Sequence, residues 1–209
     1  MRDLPGVVTV RAAKRPWPWS GPLWRRTAVA RSLASIDRLN LGCGPNVLPG
    51  WGNLDLAGGP GSYRHDLTRP LPKADSSVRY IYTEHFIEHV EREDGARLMR
   101  ECRRVLTDNG VLRVSTPDLR FLVSEYQSGR VDEWADMHWH PASSCRLLNE
   151  SMRLWGHVFL YDEAELRQML GEAGFRSIDR VAYRDSRHAP LAGLETRPFH
   201  QDLIVEARP

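Results

Sequence analysis

Apolar positions along the chain keep two rhythms. Short runs bounded by turn residues predict strands over 39–41, 53–56, 63–66, 78–83 and 111–115. Longer stretches place apolar residues three and four apart. Leu98, Cys102 and Val105 fall on one face of a helix over about 95–106, with Asp94 as its expected N-cap. Ala164, Leu166, Met169 and Leu170 mark a second amphipathic helix over 162–173, and Gly174 stands where the chain leaves it in a left-handed turn. Asp108-Asn109-Gly110 is a turn signal, and Pro117 stops the fifth strand. The region 118–156 has the pattern of a mostly helical insertion. Late strands follow over 177–183 and 202–207, joined by a link too long for a tight hairpin. Strands alternating with helices predict an α/β sandwich on a mostly parallel sheet.

The first 36 residues break this pattern. Pro16, Pro18 and Pro22 alternate with Trp17, Trp19 and Trp24. Prolines this dense exclude a helix or a central strand, because each fixes φ and removes a donor. Three tryptophans demand a packing partner. Residues 1–36 are therefore expected to be an appendage on a body over 37–209. It would dock on that body, close over a pocket as a lid, form a homodimer contact, or meet a membrane surface.

Composition narrows the function classes. The 209 residues carry a net charge of only +2, so the whole chain is not an electrostatic nucleic-acid binder. The charge is uneven: residues 1–38 hold eight Lys/Arg and two acids, +6, which leaves −4 for the rest. No apolar run approaches the ~20 residues of a membrane span. Cys43, Cys102 and Cys145 form no CxxC pair, which implies a reducing compartment. Arg25-Arg26 is followed by no apolar segment, so a cytoplasmic location is expected.

The first strand opens into Gly42-Cys43-Gly44, and the second ends on Asp55. Glycines after a strand let a ligand touch the backbone, and an acid ending the next strand accepts from a ribose diol. A dinucleotide fingerprint needs a third small residue where Val47 stands, and an acid about 20 residues on; Asp55 follows Gly42 by 13. A nucleoside without a pyrophosphate fits better, S-adenosylmethionine being the common one.

Five segments in order then carry a resemblance: LNLGCGPNVLPGWGNLDL (39–56), HDLTRPLP (65–72), IYTEHFIEHV (81–90), RECRRVLTDNGVLRVSTPD (100–118) and GHVFLYDEAELRQMLGEAGF (156–175). Across about 165 residues the chain resembles class I S-adenosylmethionine-dependent methyltransferases, closest to predicted small-molecule methyltransferases. The resemblance implies a Rossmann-like sandwich on a seven-stranded, mostly parallel sheet. Its first crossover is shortened, because only nine residues separate Gly44 from Leu54. It implies that Gly42, Cys43 and Gly44 line the methionine part of the cofactor and that Asp55 accepts from the ribose. Leu56 would flank the adenine, Asp66 and Leu67 would meet its amino side, and Thr83, Glu84 and His85 would stand beside the sulfonium.

Methyl transfer to a hydroxyl or amine also needs a proton removed, and histidine suits that near neutral pH. His85, His89 and His157 are the candidate bases. His85 and His89 share one face if their segment is helical. They do not form the His-Glu-x-x-His metal motif, because Phe86 follows His85. His138-Trp139-His140 has ligand-like spacing but is expected to be a pocket wall, so no metal is expected. Asp118, His138, His140 and His157 are the acceptor-side candidates. The expected activity is methylation of a small-molecule hydroxyl or amine, on a secondary metabolite or a sugar-containing compound. A cofactor-binding protein without transfer, and a nucleic-acid methyltransferase using the basic N-terminus, are the alternatives.

Overall fold

A computed structural model describes residues 28–129, 131, 139–197 and 201–209. The Pro/Trp segment, and the docking, lid, dimer or membrane contact expected of it, lie outside the described residues, as does His138. No helix among the described residues is long and apolar enough to cross a membrane.

Seven strands form one sheet: β1 (Arg38–Leu41), β2 (Gly52–Asp55), β3 (Tyr63–Arg64), β4 (Val78–Glu84), β5 (Leu106–Pro117), β6 (Ser177–Arg180) and β7 (Asp202–Arg208), in the order β3-β2-β1-β4-β5-β7-β6. All pairings among the first five are parallel, and β7 alone runs against its neighbours. The carboxyl ends of β1, β2, β4 and β5 therefore share one edge. Because β7 is reversed, its first residue arrives at that edge too: Asp202 stands opposite Pro117.

Helices cover one face of this sheet. They are α1 (Ala28–Ser32), α2 (Arg92–Val105) and α5 (Glu163–Glu172); α3 (Leu119–Ser128) and α4 (Ser144–Arg153) form the insertion. The main core joins Leu39, Leu41, Leu54, Ile81, Leu112 and Val114 of the strands to Leu98, Met99 and Cys102 of α2 and Leu166 and Leu170 of α5. Leu33, just after α1, is fully buried in the same core, and Lys73 Nζ donates to the carbonyls of Leu33 and Ile36 at 2.8 Å. The fold thus begins before residue 37, inside the segment expected to be an appendage.

The other face is covered by irregular chain. Trp51, Tyr82, Val111 and Leu191 pack there. The link between β6 and β7 is fastened to the sheet by Arg113 of β5. Arg113 is fully buried and donates to Glu195 at 2.6 Å, to Glu206 at 2.8 Å and to the Asp185 carbonyl at 2.7 Å. A buried guanidinium is tolerable only with that many acceptors.

Two local expectations are corrected. α2 starts at Arg92, so Asp94 lies in its first turn and pairs with Arg97; Glu91 takes the N-cap position with no side-chain bond. Asp108-Asn109-Gly110 lies within β5: Val78 pairs with Leu106 and Tyr80 with Val111, so residues 107–110 bow out of the ladder. By contrast, Asp162 caps α5 through Glu165 N–H at 2.9 Å, and Gly174 takes φ +98° after it.

Candidate active site

The turn after β1 is built from backbone. Gly42 and Gly44 take φ of +67° and +48°, which a side chain resists. A Cβ on Gly42 would stand 2.5–2.7 Å from Phe86 carbons, whereas one on Gly44 would meet nothing within 4 Å. The first glycine thus permits close packing against the segment after β4, and the second leaves backbone open to a ligand. Asp55, at the end of β2, faces this turn and accepts from Gly44 N–H and Ala57 N–H, each at 2.9 Å. Leu56 beside it is exposed. Cys43 is buried, and burial followed by the Asp55 charge pushes its thiol up to about 11, so it stays protonated.

Two asparagines missed by sequence reasoning hold this turn. Asn40 in β1 donates to Asn46 O at 2.9 Å and to Asn53 Oδ1 at 3.0 Å. Asn53 in β2 accepts from Leu48 N–H at 2.9 Å and donates to Leu48 O and Gly61 O. Both are buried. Their signal was present, as two asparagines inside strands that otherwise bury apolar side chains.

The other predicted cofactor residues divide. Asp66 accepts from Thr68 N–H and hydroxyl at 3.0 and 2.6 Å, which, against burial, hold its carboxyl below the usual range. Leu67 packs into the main core. The buried Thr83 ends on the shared edge. The Glu84 carboxylate accepts from Thr196 N–H and Arg197 N–H at 2.8 and 3.1 Å and from the Thr196 hydroxyl at 2.8 Å. It therefore anchors a distant loop at the site's edge, and Asn46 joins that loop by donating to Thr196 at 2.7 Å.

After Glu84 the chain turns sharply. His85 takes φ +49°, and Ile87–His89 form a 3-10 turn, so His85 and His89 do not share a helical face. His85 is enclosed: Nε2 is 2.8 Å from Asp202 Oδ2 and Nδ1 is 3.3 Å from Glu88 Oε1. Burial alone would lower its pKa, but the two carboxylates push it up to about 10. Held between two carboxylates, the ring favours its protonated form, in which it is a poor base. Glu88 is fully buried; burial would raise its pKa, and His85 brings it down to about 2.

His157 arrives from the insertion. Trp155 and Gly156 take φ of +61° and +79°, and Val158 N–H donates to Glu88 O at 2.7 Å. Left-handed backbone at a tryptophan costs ~1–3 kcal/mol. It is supported by ring packing of Trp155 on Trp139, with centroids 5.1 Å apart. The result sets the His157 ring edge-on to His89 at 5.0 Å. His157 Nδ1 is 2.6 Å from Ser151 O, an acceptor, so Nδ1 carries the proton and Nε2 a lone pair. Burial holds its pKa below the ordinary imidazole range.

One acceptor-side candidate meets other partners and another lies at the surface. Asp118 caps α3 through Arg120 N–H and pairs with Arg180 at 2.9 Å, a structural use of both oxygens. His140 is exposed.

The described site is thus a backbone turn with a carboxylate, packed through Gly42 and Phe86 against a histidine-rich turn. A family described as a methyltransferase domain matches residues 30–179. The chain belongs to this methyltransferase family. S-adenosylmethionine, the cofactor of the class I enzymes it resembles, suits a nucleoside site of this kind. Two solved structures share the fold. A SAM-dependent methyltransferase from Archaeoglobus fulgidus is 14% identical with a TM-score of 0.51, over 87% of this chain and 91% of that one. A SAM-dependent methyltransferase, possible histamine N-methyltransferase, from Thermotoga maritima is 17% identical with a TM-score of 0.54, over 89% of this chain and 91% of that one. No curated protein matches the chain.

Proposed function

We propose that this methyltransferase moves the methyl group of S-adenosylmethionine onto a hydroxyl or amine of a small molecule. The carrying observation is the contact between the two halves of the site: Gly42 lies against Phe86, one residue from His85 and three from His89. A nucleoside at the glycine turn therefore lies beside the histidine-rich turn.

When bound, the cofactor supplies a methyl already activated by a positive sulfur. The chain's task is to place the acceptor in line with it and to relieve the acceptor of a proton. Gly44 offers backbone, and Asp55 keeps lone pairs for ribose hydroxyls beyond those its own loop uses. Asp66 and Leu56 flank the adenine side. Proton removal falls to His157 and His89, the two imidazoles at this edge among the described residues that are not locked between carboxylates.

A small acceptor is supported by the insertion. Leu122, Trp139, Leu147 and Leu160 give it a core of its own. It delivers His157 as a half-buried group, as a cap over a compact acceptor would. Cys43, Cys102 and Cys145 are free, which fits the cytoplasmic location we assign.

Calorimetric titration tests the cofactor site. Wild type should bind S-adenosylmethionine and its demethylated product in the micromolar range, about −8 kcal/mol. Asp55→Ala should lose about 100-fold, ~2.7 kcal/mol. Wild type that ignores both ligands would overturn the assignment. Mass spectrometry of hydroxyl and amine acceptors should then show a single methyl gain.

A further inference from the structure

We propose that Glu88, His89 and His157 hold one divalent cation of zinc-like chemistry at the acceptor end of the site. Each offers one ligand atom, and the three atoms lie within 4.8 Å of one another. Glu88 Oε1 and His89 Nε2 are 4.0 Å apart. Bonds of ~2.0–2.1 Å to a tetrahedral ion set donors about 3.3 Å apart, so the three must close by roughly an ångström.

The donor set has the features of a built site. Glu88 is fully buried; its Oε2 accepts from Thr116 at 2.9 Å, while Oε1 has no hydrogen bond. The His85 ring stands 3.3 Å from Oε1 and meets part of its charge, so an ion would share that oxygen with it. His157 is prepared as a ligand: Nδ1–H donates to Ser151 O, which fixes the tautomer and aims the Nε2 lone pair outward, the outer-shell arrangement of metal-bound histidine. The chain clamps the two segments together, since Val158 and Phe159 N–H both donate to Glu88 O. Two imidazoles and one carboxylate are the ligand types zinc accepts, and three protein ligands leave a position open.

That open position would take the acceptor's hydroxyl oxygen. There the ion would lower the hydroxyl's pKa so that its proton passes to water, with His89 and His157 serving as ligands rather than as bases; the oxygen would bond to the methyl carbon as the carbon–sulfur bond breaks and the cofactor leaves as its neutral thioether, a role that rests on the methyl-transfer function proposed above. The site itself stands apart from it.

The test uses the full chain, stripped with a chelator and dialysed against zinc(II) alone, with metal measured by elemental analysis. Wild type should retain one zinc per chain at micromolar or tighter affinity. The His89→Gln/His157→Gln double variant should bind at least 100-fold more weakly, while His140→Gln, at an exposed histidine, should match wild type. Cobalt(II) should give visible absorption that the double variant lacks. Circular dichroism and S-adenosylmethionine titration of that variant should match wild type, showing that its fold and cofactor site persist. Wild type that retains no stoichiometric zinc, or a double variant that binds it equally, overturns the site. Asp55→Ala should keep zinc while losing the cofactor, so failure of one assignment is distinguishable from failure of the other.

Discussion

The two halves of the site sit on one sheet edge and are made of different materials. The glycine turn is backbone held by neutral amides: Asn40 and Asn53 satisfy residues 46–61, all within about twenty positions of each other. The histidine turn is charge held by charge, and its parts come from 85–89, 116, 157 and 202. Neutral hydrogen bonds are individually modest and tolerate trimming. A buried ion set is unforgiving, because removing one member strands the others.

The largest effect expected from breaking this contrast is at Glu88. Glu88→Ala should cost ~3–5 kcal/mol by urea unfolding, since His85 and Thr116 lose a fully buried partner. A loss under about 1 kcal/mol would show that water reaches the cluster and that the two halves are alike.

Gly42→Ala comes next, at ~2–3 kcal/mol, from a left-handed residue and the Phe86 contact together. Adding Phe86→Ala should recover part of that loss, and the double-mutant cycle separates sterics from backbone strain. Asn53→Ala should cost ~1–3 kcal/mol by leaving Leu48 N–H and the Gly61 carbonyl unmet, and should weaken cofactor binding by misplacing the turn.

The smallest effect is a difference in pH response. Burial lowers the His65 pKa against the raising effect of Asp66, opposite in direction to His85. The unfolded chain therefore takes up a proton below about 6.5 that the native state refuses, and stability present above that pH is lost as pH falls. His65→Gln should reduce the drop in thermal midpoint between pH 7 and 5, measured by calorimetry. An unchanged drop would place the acid sensitivity elsewhere.

Local signals carried much of this far. Strand positions, the α5 cap at Asp162, the Gly174 exit and the missing first crossover helix depend on contacts a few residues apart. Asp94 failed as a cap because α2 begins a turn earlier. The pairing of His85 with His89 failed because a left-handed residue and a 3-10 turn replace the helix their spacing required. Leu67 packs in the core, and Asp118 caps α3 and pairs with Arg180, contacts that no local signal announced.

By itself the sequence determined the α/β sandwich, the glycine turn and its facing acid, because each follows from periodicity, φ preference or spacing along the chain. Tertiary structure alone decided that Asp202 meets His85, that Thr196 meets Glu84 and that His157 faces Glu88. Those meetings depend on the reversed strand β7, the link pinned by Arg113 and the strained Trp155–Gly156 turn. Charges that neutralise each other across a hundred residues leave no mark on their own neighbourhoods in the chain.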